Sequence, residues 1–299
     1  MMVQYKGTGL EGFEITGQKG RNTVQERLQN GIKLGLERGC CMIGDGLPQN
    51  APQLDVRVFG AGRTDRGVHA RGMVAHAVVR CNNTGPLYLD HLLSDLNLAL
   101  RSDIRVLALE KAEPGFHARY DAVGKRYSYR LYFGLLQDPF KADMQWDVLE
   151  RWCFHNQGSP SSVRDFDNKP IRLNVDEMSR AASHMIGTHD FKAFTSRLAD
   201  KISKKKWWLT RDQTPKGYTR TVTAVEFFRE GNDELRVEVS GDGFLHHQVR
   251  KMVSCLVDVG LGRVSADAVP GFIEARDPTQ TPAPVPAHGL CLELVYYKK

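Results

Sequence analysis

Hydrophobic positions along the chain alternate between two periods. Val24, Leu28, Ile32 and Leu36 recur four apart, which predicts a helix with one apolar stripe, although Gly31 and Gly35 weaken its end. Two extended runs follow, VRVF at 56–59 and MVAHAVV at 73–79, separated by the Gly-rich segment GAGRTDRG. Leu89, Leu92, Leu93 and Leu96 return to helical spacing, and DIRVLAL at 103–109 reads as a strand. YSYRLYF at 127–133 alternates, with Tyr127, Tyr129, Leu131 and Phe133 on one face. Val175, Met178, Ala182 and Met185 predict a further helix, and strands follow at 222–228 and 235–240. Val249, Met252, Val253, Leu256 and Val259 form the inward face of a helix for which Gly260 is a suitable C-cap. PTQTPAPVPA at 278–287 must be extended, because four prolines exclude helix, and it leads into a last strand, LCLELVYY. Residues 41–54 and 156–172 read as loops, and 201–220 as a basic, Trp-containing insert.

This order mixes hairpins with crossovers. It predicts a mixed α/β (α+β) fold with a central, largely antiparallel sheet flanked by helices. A chain of 299 residues holds two domains or one large unit. The second half begins near Pro114, which gives an N-terminal half at 1–110 and a C-terminal half at 111–299. Charged residues make up 25% of the chain and hydrophobic ones 41%, so wholesale disorder is excluded. No apolar run reaches the ~18 residues of a membrane span, so no membrane role is expected. Six cysteines without a CxxC pair point to reduced, structural thiols. The first residues, MMVQYKGTG, carry no targeting pattern, which favours cytoplasm or nucleus, or an organelle if a presequence has been removed. The net charge of +6 leans toward a polyanionic partner.

The most informative segment is FGAGRTDRGVHARG at 59–72. Arg63, Asp65 and Arg66 sit on a glycine-flanked loop between two apolar strands. A carboxylate beside arginines stays ionised at neutral pH, and can serve as nucleophile, general base or metal ligand. The plainer reading is a hairpin loop with a surface ion pair, worth under ~1 kcal/mol. GAGRTDRG is neither a dinucleotide fingerprint nor a phosphate loop, and no zinc-protease or zinc-deaminase spacing occurs. His246 and His247 are adjacent and do not easily converge on one metal, so no metal site is expected.

GAGRTDRGVHARG resembles the catalytic signature of the pseudouridine synthases of the TruA type, a tRNA-modifying family. FHARYDAVGKRYSYRLY (116–132) and SGDGFLHHQVRKMVSCLVDVGLGR (240–263) resemble its second and third motifs. TVQERL, DIRVL, GTHDFKAF and the terminal APAHGLCLELVYY agree in the expected order, so the resemblance covers nearly the whole chain. It implies the pseudouridine synthase fold, with two halves meeting at an RNA-binding cleft, and isomerisation of specific uridines in RNA, most of all in tRNA. The glycosidic bond breaks, the flipped uracil turns while held, and a carbon–carbon bond to the ribose replaces it. No redox change or group transfer occurs, so no cofactor is implied. By position, Asp65 resembles the essential aspartate, the nucleophile on the nucleotide. Tyr127 resembles the active-site tyrosine, a ring that stacks on the flipped base and a candidate proton acceptor. Arg250 resembles the arginine set against the carboxylate, Leu245 the apolar residue closing the uracil pocket, and Arg63, followed by Thr64, the loop arginine that enters the space vacated by the flipped base or contacts its phosphate.

Base extrusion also needs a grip on phosphates. Arg66, Arg71, His117, Arg119, Lys125, Arg126 and the run from Lys204 to Trp208 are the candidates. Together with 250–251 these segments should line one basic RNA cleft around Asp65. The chain departs from the family pattern at Lys6, Phe13, Ser254 and His246, which touches substrate choice more than chemistry. Its long loops point to a eukaryote-like or divergent member. A homodimer is compatible with the family. Two rivals remain: a catalytically silent RNA-binding or ribosome-assembly factor on the same scaffold, and a glycosidase, which would need a second acid ~5 Å from Asp65.

Overall fold

A computed structural model describes residues 1–15, 22–41, 54–80, 87–149, 172–196 and 217–298. The 41–54 and 156–172 loops and the 201–220 insert, with Lys204 to Trp208, fall wholly or mostly outside them. The chain divides into two compact units, Met1–Ala122 with Leu292–Lys299, and Val123–Cys291. The 116–121 segment therefore belongs to the first unit, and the last strand carries the chain back into it.

The first unit contains β1 (Met2–Tyr5), α1 (Val24–Cys41), β2 (Asp55–Gly60), β3 (His69–Arg80), α2 (Leu89–Ala99) and β4 (Ile104–Ala108). β1 runs antiparallel between β3 and β4, pairing Met2 with Val74 and Val3 with Val106. β2 pairs with the far half of β3, from Asp55 opposite Arg80 to Gly60 opposite Ala75. Val24, Leu28 and Ile32 of α1 are buried together with Leu92 and Leu96 of α2 and the inward side chains Val56, Val58, Ile104 and Val106. The weak end expected at Gly31 and Gly35 does not occur, and α1 continues to Cys41. A Cβ at Gly31 would lie 2.5 Å from Leu96 Cδ1, and one at Gly35 2.9 Å from Leu92 Cδ1. Close packing of α2 thus outweighs the ~1 kcal/mol that each helical glycine costs.

The second unit holds β5 (Ala122–Tyr132), β6 (Trp146–Asp147), α3 (Val175–Ser183), β7 (Gly187–Asp190), β8 (Thr219–Arg229), β9 (Glu234–Gly241), α4 (Gln248–Gly260) and α5 (Val269–Ala275). β10 (Leu290–Tyr297) starts here and ends beside β3. β5, β9, β8 and β7 are antiparallel in that order, with the register Tyr127 opposite Val239 and Tyr129 opposite Val237. The short β6 pairs in parallel with the end of β5. The expected mixed fold with a largely antiparallel sheet and flanking helices is therefore observed. None of the described helices is long and apolar enough to cross a membrane.

α4 is buried at every position except Arg250, as a helix packed on all sides must be. Gly260 is not the cap but the last helical residue, where a side chain would meet Met178 Sδ at 2.7 Å. The prolines of 278–287 remove backbone donors yet leave carbonyls, and buried carbonyls need partners. α4 supplies them: Lys251 Nζ donates to Pro278 O (2.9 Å), Ser254 Oγ to Ala283 O (2.7 Å) and Arg250 Nε to Val285 O (2.6 Å). From β5, Tyr129 Oη donates to Pro286 O at 2.8 Å. The proline-rich segment is thus a strap fastened to α4 rather than a linker. Cys255 and Cys291 are buried.

Candidate active site

The predicted site residues divide between the units, with Arg63, Thr64, Asp65, Arg66, His117 and Arg119 in the first and Arg126, Tyr127, Leu245 and Arg250 in the second. In the first, Asp65 opens a tight turn into β3: its carbonyl accepts from Val68 N at 3.1 Å, and Gly67 has the φ of 81° that the third corner requires. The N-terminal segment clamps this turn from both sides. Phe13 N donates to Thr64 O (3.2 Å) and Gly67 N to Leu10 O (3.3 Å). Tyr5 Oη meets Thr64 Oγ1 at 2.8 Å, and Gly7 N donates to His69 Nδ1 at 2.9 Å. Thr64 and His69 are buried, whereas the Asp65 side chain is half-buried. The backbone of the turn is held from both sides, which gives the Asp65 side chain a rigid support.

Arg63 and Arg66 are exposed. Arg63 Nε is paired with the Glu14 carboxylate, whose other oxygen lies 3.7 Å from Arg119 Nη1. His117 is half-buried within the 116–121 segment, its amide donating to Asp121 Oδ2 at 2.7 Å. Glu14 was not singled out from the sequence, and neither were Tyr5 or His69. Nothing local marks Glu14, which reaches Arg63 across 49 positions.

In the second unit, Tyr127 is 8% exposed on β5, with Phe244 edge-on to its ring at 5.5 Å and 85°. Phe244 and Leu245 lie in the turn from β9 to α4. This turn is closed by reciprocal bonds, Leu245 N to Gln248 Oε1 (2.8 Å) and Gln248 N to Leu245 O (3.1 Å). His247 takes the left-handed φ of 63°, and its ring nitrogen Nδ1 meets Ser196 Oγ at 2.9 Å. The unit thus brings the ring of Tyr127 and the apolar turn carrying Leu245 together through Phe244, which the sequence reading passed over. Arg250 follows within the first turn of α4. Its Nε–H is committed to the strap, so its remaining donors are the terminal amino groups. Arg126 lies 3.6 Å from the buried Glu238 carboxylate, which Arg236 also contacts.

Residues 181–298 match the family model described as tRNA pseudouridine synthase. The chain is 32% identical to tRNA pseudouridine synthase A of Acetivibrio thermocellus over 99% of its own length and 98% of that protein. This chain belongs to the tRNA pseudouridine synthase family. The relative of the same name in Bacillus subtilis is also 32% identical, over 99% of this chain and 97% of its own. A tRNA pseudouridine synthase A 2 of Bacillus cereus is 30% identical over 99% and 98%. The eukaryote-like character expected from the long loops sits beside three bacterial relatives that align over almost their full length.

Seen as a member of this family, the chain spends two of its candidate phosphate contacts, Arg119 and Arg126, on carboxylates, and its loop Arg63 as well. The Arg63 and Arg119 pairs with Glu14 are partly exposed and weak, whereas the Glu238 side chain beside Arg126 is only 9% exposed.

Proposed function

We propose that this chain isomerises uridine in tRNA to pseudouridine, with Asp65 as nucleophile, Tyr127 as the ring against the flipped base and proton acceptor, and Arg250 as partner of the carboxylate. The observation that carries the reading is the Asp65 turn, fixed by backbone bonds on both sides, in a chain whose relatives carry that activity in their names. In the reaction the glycosidic bond from N1 breaks, the uracil turns, and C5 bonds to the ribose carbon. The hydrogen on C5 leaves as a proton and N1 gains one, so atoms and charge balance without a cofactor. Arg63 and Thr64 flank the nucleophile, Leu245 closes the base pocket, and Arg66, His117, Arg119 and Arg126 meet the phosphates.

The test is tritium release from tRNA labelled at uridine C5. Release into water in proportion to pseudouridine formed is the expected result. No release from any cellular RNA pool, with RNA still bound, would replace this reading with the catalytically silent RNA-binding factor.

Assembly as a homodimer belongs to the same proposal. Leu135, Leu136 and Phe140 are 61%, 89% and 92% exposed on a loop pinned by Tyr132 Oη to Leu136 O (2.6 Å) and Lys141 Nζ to Glu234 (2.7 Å). Exposed apolar side chains of this size on one loop suit a contact surface. Phe140→Asp is expected to convert a dimer to monomer in sedimentation velocity, and a wild type that sediments as monomer at micromolar concentration removes the proposal.

A further inference from the structure

The outer face of the β2–β3 hairpin carries a row of rings that the catalytic turn does not use. The register sets Phe59 opposite His76, and the two rings stack at 5.0 Å and 17°. His117 meets His76 edge-on at 4.6 Å, and Tyr120 leans on His117 at 4.2 Å and 37°. Phe59 and Tyr120, at the two ends, are 39% and 44% exposed.

The histidines in the middle are each fixed by backbone amides. Ala118 N donates to His76 Nδ1 (3.1 Å), and Arg119 N and Tyr120 N donate to His117 Nδ1 (3.1 and 3.4 Å). Burial first, and then the neighbouring His117, push His76 below the ordinary histidine range. The 116–121 segment is itself braced: Tyr297 packs on Phe116 at 5.4 Å and its hydroxyl donates to Ala118 O at 2.6 Å.

Core packing does not require this row, because Val56 and Val58 fill the core from the opposite face of β2. The outer face continues with Arg57, two residues before Phe59, and the Arg57 Nε–H donates to Asp55 Oδ2 at 3.1 Å. The row is also continuous with the catalytic turn. Phe59 directly precedes the Gly60 loop, and Arg119 shares Glu14 with Arg63.

We infer that this row is a stacking subsite for an unpaired base of the RNA that flanks the target uridine. Exposed aromatic faces flanked by arginines are what single-stranded nucleic acid uses, the rings taking bases and the cations taking phosphates. The inference rests on the RNA-modifying reading above, and its test separates the two.

Phe59→Leu and Tyr120→Leu, singly and together, are compared with wild type. An unmodified tRNA transcript is bound at fixed salt, and single-turnover tritium release is followed at saturating enzyme. Loss of stacking should weaken binding by the double variant about 10- to 100-fold, with the saturated single-turnover rate within about twofold of wild type. A transcript made abasic at the nucleotides flanking the target should bind wild type and double variant equally. Intact transcript bound within about twofold of wild type by the double variant would overturn the subsite. Absence of tritium release by wild type would sink the isomerase reading instead, and leaves the binding comparison intact.

Discussion

Replacing Asp65 with alanine is expected to lower single-turnover tritium release from uridine-labelled tRNA by about 10⁴-fold or more, the scale seen when a nucleophile is removed. No other group in the turn can substitute for it. Its neighbours Thr64 and Arg66 offer a hydroxyl bonded to Tyr5 and a cation, and neither is a carboxylate. Asp65→Asn keeps the shape and should fall nearly as far, because an amide is a far poorer nucleophile than an ionised acid. Both variants should stay folded. The bonds that hold the turn run through backbone atoms of Leu10, Phe13, Thr64, Gly67 and Val68, which the substitution leaves in place. A circular-dichroism melt within a few degrees of wild type, beside absent release, is the expected pair of results. Release at more than about a tenth of the wild-type rate would remove Asp65 from the nucleophile's role.

The second large effect is structural and reaches the site through its clamp. Gly12→Ala is expected to destabilise the protein by about 3 kcal/mol or more, read as a lower urea midpoint. Gly12 has a φ of +91°, and a Cβ there would lie 2.5 Å from the carbonyl oxygen of Thr64, the residue before the nucleophile. Gly9→Ala is the control. Its φ of +80° is equally unfavourable for alanine, but nothing lies within 4 Å of the added carbon. It should cost only the conformational part, about 1–2 kcal/mol. Under native conditions Gly12→Ala should also slow tritium release more than Gly9→Ala, because relief of its clash moves the backbone that carries Asp65. Equal midpoints for the two variants would show that the approach of Gly12 to Thr64 is not tight.

Much of the fold was legible in the sequence. Helical spacing marked α1, α2, α3 and α4, extended runs marked β2, β3, β4 and β10, and alternation marked β5, β8 and β9. β1 and β7 were missed, because four residues are too few to establish a period. Gly31, Gly35 and Gly260 were misread as places where helices weaken or stop. Each instead lets a partner from another helix come close, and that partner is invisible in a local window.

The site shows the same division. The turn at Asp65 is legible, since a glycine two residues after the aspartate suffices to specify it. Tyr127 and Tyr129 cannot be told apart by alternation, as both are buried on one face of β5. Tertiary structure separates them: Tyr129 is locked by Pro286 and crowded by Gly289, whereas Tyr127 faces Phe244 in the turn before α4.

By itself, then, the sequence determined the element types, the fold class, the family and the loop that carries Asp65. Each of these follows from spacings of a few residues, which backbone geometry turns into faces and turns, or from motifs long enough to be specific. The tertiary structure decided the rest: that Glu14 holds both Arg63 and Arg119, that the proline strap takes the Nε–H of Arg250, and that Phe59, His76, His117 and Tyr120 form one row. Those pairings join residues up to about a hundred positions apart. They depend on the path of the folded chain, which no local period encodes.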